Sequence, residues 1–202
     1  MLNLKGFLAK FKKNDDPYEW NTVSRRFYEL VKKFARKNDK ILEFGSSTGH
    51  ISYRLAKDGY SLTLLDIRPG VIDIAKNIFL KSGIKANFIC GNILDENNRY
   101  DFAWNSGLIQ CLEDDKKDEL IRKILLISKR TLLFYPDTEN SKKVKGSNKN
   151  ITPGVGDAKE YAINKIPEIT YKYFNEIYLG VFKANEIGLD YNMYWLYALN
   201  KK

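Results

Sequence analysis

From Lys40 onward, short apolar runs alternate with segments of helical period, and this alternation limits the chain to one class of fold. "KILEF" (40–44) and "SLTLLD" (61–66) read as buried strands, with a helix expected between them from about His50 to Lys57. "RPG" opens a second helix, with Pro69 near its first position and Val71, Ile74, Ala75 and Ile78 on one face. "KANFIC" (85–90), "YDFAWN" (100–105) and "RTLLFY" (130–135) continue the strands. A helix over about 114–127 turns Leu120, Ile121, Ile124 and Leu125 inward. Apolar strands separated by helices imply an α/β fold, a parallel sheet covered by helices.

The pattern changes after residue 135. "PDTENSKKVKGSNKNITPGVG" (136–156) is polar and without period, as expected of an insertion loop, and a short helix is expected near 157–165. "ITYKYFNEIYLGVF" and "LDYNMYWLYALN" are β-rich, with a short polar link that suits antiparallel pairing. In the second, Tyr191, Met193, Trp195, Tyr197 and Leu199 alternate with residues that are themselves largely apolar, as in an interior strand. Residues 1–39 read as a helical extension, with Val23, Phe27, Leu30, Val31 and Phe34 in one stripe.

At 202 residues, 44% of them hydrophobic, the chain suits one domain with a full core. No apolar run approaches the ~20 residues that cross a bilayer, and "MLNLKGFLAKFKK" has neither the apolar stretch nor the cleavage site of a secretory signal. Two cysteines, Cys90 and Cys111, cannot frame a disulfide scaffold, lack metal-ligand spacing, and read as buried thiols of a cytoplasmic protein. The net charge of +9 fits an acidic partner or a lysine-rich solvated surface; the lysines are scattered and often next to acids, which favours the surface. Leu4, Phe7, Leu8 and Phe11 fall at helical spacing among lysines within residues 1–13, a pattern for packing on the domain or for peripheral membrane contact.

"ILEFGSSTGH" (41–50) places a turn of small residues between the first strand and its helix. Such a turn lets backbone approach a ligand at the carboxyl ends of the strands. The dinucleotide fingerprint would need glycines where Ser47 and His50 stand, and a phosphate-cradling P-loop would need Gly-Lys where His50 and Ile51 stand. What remains is acid-x-Gly-x-x-x-Gly from Glu43 to Gly49, with a second acid, Asp66, closing the next strand. Burying Glu43 at the end of an apolar strand is costly without a partner, which argues for a ligand. His50, the sole histidine, reads as a polar residue of the first helical turn rather than a general base.

This arrangement resembles class I S-adenosylmethionine-dependent methyltransferases. "LTLLDIRPGVIDIAK", "FICGNILD", "YDFAWNSGLIQCLED", "LLISKRTLLFYP" and "YWLYALNK" extend the resemblance in order along the chain. It implies a doubly wound, mostly parallel seven-stranded sheet with helices on both faces and the last strand antiparallel. It implies S-adenosyl-L-methionine as cofactor and S-adenosyl-L-homocysteine as product. Cofactor contacts would fall on Glu43, Gly45, Ser46 and Gly49 at the methionine end, and on Asp66 for the ribose hydroxyls. Ile67, Asn92 and Ile93 would meet the adenine, and Asn105 would contribute from the fourth strand. Asn92 departs from the aspartate of many members, and Ser47 from their glycine or cysteine.

The chemistry implied is in-line methyl transfer, which needs alignment and water exclusion more than any fixed catalytic residue, and the sequence offers none. "NSGL" after the fourth strand lacks the Asn/Asp-Pro-Pro-aromatic motif of base amino-methyltransferases; no proline precedes either cysteine, and no catechol-type magnesium cluster is present. Tyr18, Trp20, Gln110, Tyr135 and Tyr161 are the candidate acceptor contacts. The expected acceptor is an O or N atom of a small molecule, lipid- or glycan-linked ones included. Alternatives are an RNA methyltransferase, with a continuous basic face, and a non-catalytic cofactor-binding subunit; an NAD-linked oxidoreductase lacks its glycines.

Overall fold

The computed structural model describes residues 17–18, 20–109, 112, 114–136, 170–171, 173–189 and 192–199. Helix α1 (Thr22–Phe34) leads into β1 (Lys40–Phe44), α2 (His50–Lys57), β2 (Ser61–Asp66), α3 (Pro69–Lys81) and β3 (Asn87–Cys90). A 3₁₀ turn (Ile93–Asp95), β4 (Phe102–Ser106), α4 (Asp114–Ile127) and β5 (Arg130–Pro136) follow. The chain ends with β6 (Glu176–Phe182), the short α5 (Ala184–Ile187) and β7 (Met193–Leu199). The strands form one seven-stranded sheet in the order β3-β2-β1-β4-β5-β7-β6. Strands β1 to β5 run parallel, and β7 is antiparallel to both β5 and β6. The parallel sheet expected from the alternation and the doubly wound, seven-stranded arrangement implied by the resemblance are therefore present, with the order reversing between β1 and β4.

Side chains alternate across each strand, so neighbouring residues enter different cores. Ile41, Leu62, Leu64, Phe102, Trp104, Leu132 and Phe134 pack against α1, α2 and α3. Leu42, Phe44, Leu65, Ala103 and Leu133 pack on the other face against Leu120, Ile121, Ile124 and Ile127 of α4. Asn21 caps α1 by accepting from the Ser24 amide at 2.9 Å, and its stripe lands on the first face, where Phe27 stacks on Phe134 at 4.1 Å. Below the amino ends of the strands, Arg130 Nη2 pairs with Asp39 at 2.6 Å while Nη1 donates to the Phe34 carbonyl at 2.7 Å; both side chains are buried.

Two expectations need correction. Cys90 is exposed rather than buried, because β3 is an edge strand and its last residue has no sheet neighbour beyond it. The third and fourth strands begin two residues later than the apolar runs, at Asn87 and Phe102. The expectations for residues 1–13, the loop beyond Pro136, the helix near 157–165, Gln110, Cys111, Tyr161 and Tyr191 lie outside the described residues. No described helix is long and apolar enough to cross a membrane.

Candidate functional site

The turn after β1 owes its shape to three residues of positive φ. Gly45 (+63°) and Gly49 (+78°) have no side chain to strain, and Ser47 (+50°) is the sole non-glycine with positive φ among the described residues. Space constrains both glycines as well. A Cβ on Gly49 would stand 2.3 Å from Leu64 Cδ2, and one on Gly45 about 3.1–3.2 Å from Asn105 Nδ2 and Leu108. The Ser46 amide donates to the Leu65 carbonyl at 2.9 Å, tying the turn to β2.

Asp66 ends β2 beneath this turn, and its carboxylate is fully engaged. Oδ2 accepts from the Ser47 amide at 2.8 Å and from Arg68 Nη2 at 2.9 Å. Oδ1 accepts from the Arg68 amide at 3.0 Å and from Arg68 Nε at 2.9 Å. Burial pushes the Asp66 carboxyl up, but the hydrogen bonds from Arg68 and Ser47 outweigh it and hold it below the usual range.

Glu43 is buried on the Ile41 side of β1, and its Oε2 has no hydrogen-bond partner among the described residues. Burial pushes its carboxyl up to about 8; the nearby Ser52 hydroxyl pulls it back in part, and the charge of Asp66 raises it further. A positive charge placed beside such an acid would favour its ionised form.

A cavity of about 700 Å³ opens at the carboxyl ends of β1 to β4. Gly45, Ser47, Asp66, Ile67, Asn92 and Ile93 line it, together with Arg68, Leu108, Leu112 and Lys116. Ile67 is exposed on the wall of this cavity. Asn92 Oδ1 accepts from the Leu94 amide at 3.1 Å and so caps the 3₁₀ turn.

The remaining expected residues sit around the cavity without lining it. Ser46 and Gly49 belong to the turn itself, and Glu43 is buried near the end of β1 just before it. Asn105 is fully buried, its Nδ2 donating to the Phe44 carbonyl and its Oδ1 accepting from the Leu108 amide at 2.7 Å. It therefore joins the ends of β1 and β4. Tyr18 donates to the Thr48 carbonyl in the turn, its ring 5.0 Å from His50 and stacked on it. Trp20 packs under the Arg54 guanidinium at 3.8 Å, and Arg54 in turn donates to the Tyr18 carbonyl at 3.0 Å. The segment before α1 is thus fastened over the start of α2. Tyr135 is buried on β5, stacked with Tyr194 at 5.9 Å. Arg68 is the residue sequence reasoning passed over. Its signal was an arginine two positions after the acid, close enough to fold back onto it.

Residues 41–130 match the family described as a methyltransferase domain. The chain is 31% identical over 125 residues to carboxy-S-adenosyl-L-methionine synthase of Nautilia profundicola, a match covering 56% of this chain and 52% of the relative. The chain thus spans about half the length of that curated relative. Magnesium protoporphyrin IX methyltransferase from Synechocystis PCC 6803, solved with bound SAH, superposes with a TM-score of 0.71 at 16% identity, covering 89% of this chain and 82% of that one. A TehB-like SAM-dependent methyltransferase from Corynebacterium glutamicum gives 0.63 at 16% identity, covering 97% and 94%. The chain thus has the fold of these solved methyltransferases, and residues 41–130 of it match the methyltransferase-domain family.

Proposed function

We propose that the chain transfers the methyl group of S-adenosylmethionine to an O or N atom of a small molecule and releases S-adenosylhomocysteine. The observation that carries this reading is the shared cavity: Asp66 and the Gly45 turn line one space at the carboxyl ends of the strands, inside the segment that matches the family.

The residues suit that cofactor. Ile67, Ile93 and Leu94 give a flat base apolar walls, Asp66 is a carboxylate able to accept two ribose hydroxyls, and the unsatisfied Glu43 favours positive charge behind the turn. When bound, S-adenosylmethionine supplies a methyl group activated by its sulfonium. The chain's own part is to orient and to exclude water. Asn105 and Ser46 hold the turn in shape, and Asn92 Oδ1 keeps a second lone pair for an amino group. Tyr18 is fastened to the turn through the Thr48 carbonyl, and an acceptor would approach from that side. Alignment of this kind can lower the barrier without a dedicated base where the acceptor atom carries no proton at neutral pH, and a protonated hydroxyl would pass its proton to water. A small-molecule acceptor is supported by the porphyrin named for the Synechocystis neighbour.

The relative from Nautilia favours a second reading, in which the cofactor itself is modified to a carboxylated form. One experiment addresses both. Purified protein is incubated with S-adenosylmethionine and a panel of small hydroxyl and amine acceptors, and separately with S-adenosylmethionine and a panel of small carboxylic acids as carboxyl donors, and the products are read by mass. S-adenosylhomocysteine together with a methylated acceptor supports transfer; a carboxylated cofactor supports the second reading; an unchanged cofactor across both panels counts against both.

A further inference from the structure

We infer that Arg68 is a built-in competitor for the ribose subsite, so that cofactor binding is an exchange of guanidinium for diol and Arg68 sets both the affinity and the preference for an intact cis-diol. This rests on the reading of Asp66 given above. A carboxylate has about four acceptor positions, and on Asp66 all four are taken. Two go to the backbone amides of Ser47 and Arg68, which belong to the fold of the turn and of the start of α3. The other two go to Nε and Nη2 of one side chain, one on each oxygen, in the paired geometry that suits a guanidinium and that a vicinal diol would also occupy. The Asp66 side chain is 3% exposed and that of Arg68 44%, so the arginine rather than the aspartate has room to leave. Both line the cavity, which places the exchange inside the ligand space.

A ligand with both hydroxyls must break the Arg68 bonds before it gains its own, so in the native chain the diol contributes only part of the affinity it could. Without the guanidinium the same diol would meet a bare, half-satisfied carboxylate and contribute in full. Arg68 thereby keeps Asp66 neutralised when no ligand is present, and lets only a ligand able to replace two hydrogen bonds claim the site.

The test is calorimetric affinity for S-adenosylhomocysteine and its 2′,3′-dideoxy analogue in the native chain, Arg68→Ala and Arg68→Lys, with thermal unfolding to verify folding. Arg68→Ala is expected to bind S-adenosylhomocysteine about tenfold tighter, a step of ~1.4 kcal/mol, and to lose about tenfold more than the native chain when the diol is removed. Arg68→Lys, a point charge that cannot cover both oxygens, should fall between and serves if the alanine variant does not fold. Unchanged or weaker binding by both variants overturns the inference while leaving the cofactor reading intact, since the native chain still binds. Binding that appears only in the variants supports the inference in its strongest form. No binding by any of the three overturns the inference and the cofactor reading together.

Discussion

The Ser47 amide donates to Asp66 Oδ2 at 2.8 Å, so the turn that follows β1 is fastened to the acid that ends β2. One carboxylate therefore serves the fold and the candidate ligand site at once. Asp66→Ala should cost stability as well as affinity, because it leaves the Ser47 amide and the Arg68 amide without their acceptor. Orphaning buried donors costs about 1–3 kcal/mol, and urea unfolding of the variant should fall in that range. Asp66→Asn retains one acceptor oxygen and should lose less. Equal stability of all three chains would mean that the turn holds its shape without Asp66.

Two of the three positive-φ positions of the turn predict opposite outcomes. Ser47→Gly relieves a side chain held at φ +50° and should be neutral to stabilising by up to ~1 kcal/mol, the relief being offset by the greater freedom of glycine in the unfolded chain. Gly49→Ala places a Cβ 2.3 Å from Leu64 Cδ2 at φ +78° and should destabilise by about 2 kcal/mol or more. Thermal unfolding of the pair checks the contrast; a Gly49→Ala chain as stable as the native would refute the packing account.

Glu43 predicts a pH dependence. Its folded pKa of about 8 lies above its ordinary value of 4.5, raised first by burial. Between those values the folded chain holds a proton that the unfolded chain has released, so this group makes stability fall as pH rises through the window. Glu43→Gln removes the titration, and its stability relative to the native chain should climb from pH 5 to pH 8 and then level. A difference that stays constant with pH would contradict it. If a cation binds beside Glu43, binding near pH 7 should also release protons, seen calorimetrically as a dependence on the buffer's ionisation enthalpy.

The Arg130–Asp39 pair lies at the amino ends of the strands, away from the cavity. Removing one member of a buried pair typically costs ~3–5 kcal/mol, so Arg130→Met should be strongly destabilising in urea. Asp39→Leu together with Arg130→Met should cost less than the two single changes added. Cofactor affinity of the folded fraction should not change.

Most of the fold was legible because buried parallel strands are continuous apolar runs. "KILEF" and "SLTLLD" could be bounded to the residue, since turn residues flank them, and α2 and α4 followed from their spacing. Edge position left no such mark: nothing in "KANFIC" tells that β3 has a neighbour on one side only, so Cys90 was misjudged. The glycine turn and the two acids were legible from chemistry, because a buried carboxylate asks for a partner. The engagement of those acids was not. Whether Arg68 reaches into solvent or folds back onto Asp66 depends on a side-chain rotamer that residue spacing does not specify. Likewise, Asn105 sits in the right place for a ligand by sequence, but its amide is spent on Phe44 and Leu108.

The most direct test of the account is calorimetric titration of the chain with S-adenosylmethionine and S-adenosylhomocysteine, with NAD and Asp66→Ala as controls. The account predicts micromolar binding of both, none of NAD, and a loss of about tenfold or more in Asp66→Ala, ~1.4 kcal/mol at the least. Folded protein that binds neither adenosyl ligand would contradict it.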